Sequence, residues 1–400
     1  MSRSQGNSEG VGWGSDLLCR NNIISAQSYH RFIDFVKDFN DEIHHSGISS
    51  GHFCRLKRLR HPPSTRVTPP VAEKNAVTVI QPLKRELAEG LYEMALSPQG
   101  DALYVASAEG FKDVQGGAVY RLDPKTLKTI GLSHTDLKNF AVQMTPDGKT
   151  LFVTHSLDGG ISAIDTATGK VKKRLLFSER NEKGMPYGAR QILLLDNTLY
   201  VGAVADPAQI WVVDATTLKL KTRIKNTGKW MTGLHYSTQT GRLYAANGSG
   251  EILVINPRSN RIEQRWKPLG DKPALLLNIA EDSETGRLFV TDNSKAKTTL
   301  VLDIHSGKVI KQLEVGDSLA VLFNPKRNEI YISQRESGKV ISLDGTTYAL
   351  KKQWDIPANP NSLLLDAEGQ TLFVTVKQPF NKDHSTKGPD SVVRIDLNAQ

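Results

Sequence analysis

Cysteine is almost missing from this chain. The two present, Cys19 and Cys54, fall in the first 70 of 400 residues, and residues 71–400 have none. That stretch therefore holds no disulfide and no thiolate zinc site. A cysteine-free domain suits an oxidising compartment. Long apolar runs are missing too. None approaches the roughly 18 residues that a membrane-spanning helix needs, so no membrane insertion is expected. A strong charge of one sign is also lacking. Fifty-one Lys and Arg stand against 42 Asp and Glu, for a net charge of +9. Such a surplus permits a polyanionic partner without requiring one. The HExxH, Walker, GxSxG, EF-hand and CxxCH motifs are all absent from residues 71–400. His134, His155, His235, His305 and His384 are isolated, and the adjacent pair His44 and His45 lacks the spacing of three or four that one helix face requires. No catalytic residue, metal ligand or cofactor is assigned on these grounds, and a non-enzyme is expected.

What is present is a repeat. The runs "LYVAS", "LFVTH", "LYVGA", "LYAAN", "LFVTD", "IYISQ" and "LFVTV" recur between residues 103 and 376. Each has Leu or Ile first and Tyr or Phe second. A second run follows each one and ends on Asp123, Asp165, Asp214, Asn256, Asp303, Asp344 or Asp396, at spacings of 42, 49, 42, 47, 41 and 52 residues. β-Branched and aromatic residues favour strands. Turn sequences such as "SPQGD", "TPDGK" and "ETGR" separate them. A period of this size with four short strands per unit is the signature of a β-propeller. The terminal Asp or Asn is read as a turn cap rather than a metal ligand, since the same position recurs in every unit.

The fold class is therefore all-β: a seven-bladed, WD40-like β-propeller of four-stranded blades over residues 71–400. In the second unit the strands are expected near 140–145, 151–155, 161–165 and 171–177. The seventh unit ends one strand short. A segment within 75–87, "NAVTVIQPLKREL", can complete it, closing the ring and removing an open sheet edge. Tyr244 and Ile255 are expected to pack between neighbouring blades. Residues 1–70 stand outside the repeat as an extension: a polar Gly/Ser-rich start expected to be disordered, a helical pattern at 25–43, and a basic linker at 55–70. No basic start followed by an apolar run is visible, so no secretory signal is expected.

In a four-stranded blade the loops after the second and fourth strands leave on one face. That face gathers 107–117, 133–140, 178–190, 225–233, 292–299, 334–339 and 376–388, the long and variable loops on which function usually sits. Rings and bases interleave there, as unpaired nucleic acid requires. The nucleic-acid-binding candidates are Phe111, Lys112, Lys225, Lys229, Trp230, Arg335, Phe380 and Lys382. Glu109, Asp113, Asp136, Glu179 and Glu336 share those loops, so an ordinary mixed-charge surface is the competing reading. For Trp230, structural packing competes with base stacking.

The blocks "GGAVYRLDPKTL", "IWVVDATTLKLKTRIKNTGK", "DSLAVLFNPKRNEIYIS" and "NPNSLLLDAEGQTLFVTVKQ" resemble the YncE-type propellers of the YVTN repeat family. The resemblance runs collinearly over about residues 80–397. It implies a periplasmic, non-enzymatic propeller that binds DNA, single strands preferred. The expected partner is single-stranded DNA, with another protein as the alternative, and a monomer is expected. Other propellers of this type resemble sugar lactonases, which would show carboxylates and histidines converging on the channel. A protein-interaction platform would show a large apolar patch on one face.

Overall fold

The computed structural model describes residues 81–110, 116–381 and 385–399. Among the described residues there are 28 strands and no helix. They form seven antiparallel four-stranded sheets, arranged as the blades of a propeller. Blades 1 to 6 occupy 91–134, 139–176, 188–224, 231–266, 276–313 and 321–355. Blade 7 takes three strands from 359–396 and its outer strand from Leu83–Ala88. In blade 2 the strands are Asn139–Met144, Thr150–His155, Gly160–Asp165 and Val171–Leu176, each within a residue or so of the span expected. The closing strand, Leu83–Ala88, overlaps the expected segment and runs one residue past it. Leu83–Ala88 pairs antiparallel with Asp390–Asp396, placing Leu83 opposite Arg394 and Glu86 opposite Ser391. Residues 1–70, with the expected disorder, helix and linker, lie outside the described residues.

The repeat explains where the core sits. Successive side chains of a strand point to opposite faces, and each face of a blade meets a neighbouring blade. The second strand of a blade is accordingly buried along its length, as in Leu103–Ser107. The outer strand Val309–Leu313 is exposed except at its last residue. Tyr244 faces blade 5 and packs with Leu276, Leu288, Val290 and Leu300. Ile255, on the third strand, faces blade 3 and packs with Tyr200, Ile210 and Val212. Each fully buried side chain of this kind contributes about 1.5–3 kcal/mol. The Tyr244 hydroxyl donates to the Ile304 carbonyl of blade 5 at 3.0 Å, so its polar end is also satisfied. Between blades 2 and 3, Phe177 and Trp211 stack at 3.9 Å, nearly parallel at 5°.

The recurring acids are turn caps, as expected. Asp123 Oδ1 accepts from the amides of Lys125 and Thr126 at 3.0 and 2.7 Å. Asp165, Asp214, Asp303 and Asp344 accept in the same way from the amides two or three residues on. Asn256 and Asp396 do so for Arg258 and Asn398. These hydrogen bonds hold the carboxyls of Asp123, Asp165, Asp214 and Asp344 below the usual range. All but the Asp396 turn, which follows the last strand of the chain, join a third strand to an outer one, at the end of the blades away from the loop-rich face.

Candidate functional site

The channel is lined by the innermost strand of each blade, and six of these strands carry a β-bulge near their start. Pairing with the second strand skips between Leu91 and Met94, Asn139 and Val142, Ala189 and Ile192, Met231 and Gly233, Leu276 and Ile279, and Pro360 and Leu363. A bulge sets two residues against one and re-aims a side chain. Here the bulged residues face the channel: Tyr92 and Glu93, Phe140, Arg190 and Gln191, Thr232, Asn278, and Asn361 with Ser362 line one cavity. Hydroxyls of the second strands brace the bulges. Thr154 Oγ1 accepts from the Ala141 amide at 2.9 Å and donates to the Arg190 carbonyl of the next blade at 2.7 Å. Thr291, Ser333 and Thr375 repeat the arrangement.

The cavity is about 250 Å³ and lies towards the loop-rich face, where the inner strands begin. Arg190 and Arg335 enter it from blades 3 and 6, with Tyr92, Phe140 and Phe380 among its walls. The Arg190 guanidinium lies 4.6 Å from the Phe140 ring centroid. Burial holds both guanidiniums below the usual arginine range, and the charge of Arg335 lowers Arg190 further. Tyr92 opposes the fall at both, and Glu93 also does so at Arg190. Burial pushes the Glu93 carboxyl up, against hydrogen bonds from Ser362 and Gln191 and the charge of Arg190. Lys377 is buried nearby and fully engaged. Its ammonium donates to the Leu91 carbonyl and pairs with Asp390, both at 2.9 Å, and lies 4.0 Å from the Tyr92 ring centroid.

A second, more open concavity of about 720 Å³ lies where blades 4 and 5 meet on the same face. Lys229, Lys267, Lys272 and Lys295 line it, with Asp271 as its acid and Trp230 as its ring. Trp230 is half-buried, and its backbone is left-handed at φ 52°. That conformation is fixed by its amide donating to the Ala205 carbonyl at 2.9 Å and its carbonyl accepting from Gly248 at 3.0 Å. The ring rests against Gly248, where a Cβ would come within 2.7 Å of it. The Lys229 ammonium lies 4.9 Å from the ring centroid. Trp230 thus packs and lines the concavity at once.

The sequence candidates therefore divide. Lys229 and Trp230 fall in the rim concavity, Arg335 and Phe380 at the channel mouth, and Lys225 on the exposed loop before Lys229. Phe111, Lys112 and Lys382 lie outside the described residues. Lys267 and Lys272 carry no sequence signature of their own, because the loop 267–275 has bases but no ring. Arg190 and Glu93 had a weak one: they are charged residues inside otherwise apolar strands. Among the described residues, no three His, Cys, Asp or Glu side chains gather as a metal site would. His155 is buried against Asn139 and Ser162, and His235 pairs with Glu281 at 2.5 Å. The exposed large apolar residues described, Leu83, Ile130, Leu132, Leu176, Val309, Ile310 and Leu350, sit on outer strands. No helix among the described residues is long and apolar enough to cross a membrane.

No family model matches the chain. Individual relatives do. The chain is 41% identical over 320 residues to the YncE protein of Salmonella typhimurium, covering 79% of this chain and 90% of that one. Identity and coverage are the same for YncE of Escherichia coli K12. Both relatives are described as uncharacterized. A more remote likeness, 23% over 271 residues, links it to the antigen Lp49 of Leptospira interrogans, covering 64% of this chain and 58% of that one. With the seven blades and this level of identity along nearly the whole of its relatives, the chain belongs to the YncE family of β-propellers.

Proposed function

We propose that this propeller is a non-enzymatic binding protein that takes single-stranded DNA on its loop-rich face, across the concavity between blades 4 and 5. The observation that carries the reading is the set of four lysines around Trp230 with one acid among them. Lysines there neutralise phosphates as point charges, and the partly open ring offers a surface to an unstacked base. Acids of the loop-rich face such as Glu109, Asp136, Asp158, Glu179 and Glu182 of blades 1 and 2 and Glu336 of blade 6 lie outside the lining of this concavity. The basic surface is thus a sector rather than a whole face, which suits a short stretch of strand.

Anisotropy titration of a labelled oligonucleotide tests the reading. With four phosphates neutralised, the logarithm of affinity should fall by about 3 per tenfold rise in salt, or roughly 50-fold between 50 and 200 mM. Lys272→Ala should reduce that slope by about 0.7. Trp230→Ala should weaken binding by on the order of 1–3 kcal/mol. Undetectable or salt-insensitive binding would overturn the proposal, and an unchanged affinity in Trp230→Ala would assign that ring to packing alone.

A further inference from the structure

We propose that the channel mouth is a receptor for one small organic oxyanion, a carboxylate or phosphate gripped between Arg190 and Arg335. The inference rests on residues other than those of the rim concavity and stands apart from the DNA reading.

Three observations carry it. First, the described carboxylates around the two arginines have hydrogen-bond or ion-pair partners of their own, Glu336 among them with Lys297. Asp390 is consumed by Lys377 and by the amides of Leu91 and Gln378. Glu93 is engaged with Ser362 at 3.1 Å. Arg335 forms no hydrogen bond or ion pair with the described residues, although Asp390 and Glu336 act on its charge, and it shares the cavity with Arg190, whose like charge it opposes. An oxyanion between them relieves that repulsion, and the planar guanidinium fork matches its oxygens.

Second, both arginines are held in place before any ligand arrives. Arg190 sits on the inner-strand bulge of blade 3. Its carbonyl is tied to Thr154, and its guanidinium is laid over Phe140. Arg335 begins the turn after the second strand of blade 6. That turn is pinned by Asp317, which accepts from the Glu336 amide at 2.7 Å and from the Ser337 hydroxyl. Preorganised donors lose little freedom on binding.

Third, the enclosure suits a small molecule. At about 250 Å³ the cavity is below the range that drug-sized ligands occupy. The rings of Tyr92 and Phe140, 4.8 Å apart, and of Phe380 reduce the water around the arginines and so strengthen their pull. Glu93 adds selectivity. Its carboxylate, near Arg190, accepts a hydrogen bond from a ligand hydroxyl, so a hydroxy acid should bind better than the same acid without the hydroxyl.

Calorimetric titration of the full chain with malate, succinate and inorganic phosphate, at ionic strength held constant with sodium chloride, tests this. One saturable site is expected for malate, with succinate weaker. Saturation by phosphate in place of malate supports the site with a phosphate ester as its source. Arg335→Gln should weaken the best of these ligands at least about tenfold, and Arg335→Lys, which keeps the charge and loses the fork, by about threefold or more. Lys272→Ala should leave it unchanged. The proposal is overturned if none of the three anions binds saturably, even where an oligonucleotide does. It is equally overturned if either Arg335 variant, shown to be folded by its unfolding transition, binds as the wild type. Failure of the DNA reading would appear instead in the oligonucleotide titration and would leave these results untouched.

Discussion

Inside blade 2 the ring of His155 lies between Asn139 and Ser162, with Nδ1 3.1 Å from Asn139 Oδ1 and Nε2 2.8 Å from Ser162 Oγ. Asn139 spends its amide nitrogen on the Ala118 carbonyl, so its oxygen must accept. The ring therefore carries its proton on Nδ1 and accepts at Nε2. Burial, reinforced by the charge of Arg174, lowers its pKa to about 3. An unfolded histidine takes up its proton near 6.5. Between those two values the unfolded chain binds a proton that the folded chain refuses. Stability from this group is thus complete above about pH 6.5 and is lost as pH falls towards 3, by up to about 1.4 kcal/mol per unit. Urea unfolding at pH 7, 6 and 5 should show wild type losing more stability than His155→Gln, with the gap between them narrowing in acid. Parallel losses would mean that His155 carries none of the acid sensitivity.

At the scale of the element, the fourth residue of four of the seven repeat runs, Thr154, Thr291, Ser333 or Thr375, does a specific task. In "LFVTV", Thr375 accepts from the Ser362 amide at 3.1 Å and donates to the Tyr92 carbonyl of blade 1 at 3.0 Å. It therefore braces a bulge in its own blade and latches the next. Thr375→Val keeps the shape but strands both buried groups, each at about 1–3 kcal/mol. Denaturant unfolding should show a loss of about 2–4 kcal/mol, and Thr375→Ser should retain most of the stability. A valine variant as stable as wild type would remove the latch from the account. The run itself was legible in the sequence because strand periodicity and turn residues are local. Its hydroxyl was visible but had no assignable partner, since the carbonyl it meets lies 283 residues away. The bulges were not legible at all. A bulge is one extra residue set against a partner strand, and no residue type marks it. Hence Glu93 and Arg190 read as interruptions of apolar strands, whereas Trp230 and Arg335, on loops flanked by Gly and Lys, stood out.

At the scale of the whole molecule, seven blades form a ring only if blade 7 meets blade 1, and the contact joins the two ends of the propeller. Asp390 is at its centre. One carboxylate oxygen accepts from the Leu91 amide, 299 residues away, and from the Lys377 ammonium; the other accepts from the Gln378 amide. Lys377 in turn donates to the Leu91 carbonyl. Asp390 also opens the strand that pairs with Leu83–Ala88. Closing a loop this long costs entropy that the local contacts of single blades do not repay. Removing one member of a buried ion pair leaves the other charge uncompensated, at about 3–5 kcal/mol, while replacing both with apolar residues of similar size is often neutral. Asp390→Ala should therefore lower stability by about that amount. Lys377→Met combined with Asp390→Leu should recover much of the loss, because the stranded ammonium is gone. Hydrogen exchange should rise selectively at Leu83–Leu96 and Asp390–Asp396, where the seam opens first, and not in blades 3 to 5. Uniform acceleration around the ring would show instead that the blades unfold as one unit and that the seam has no separate stability.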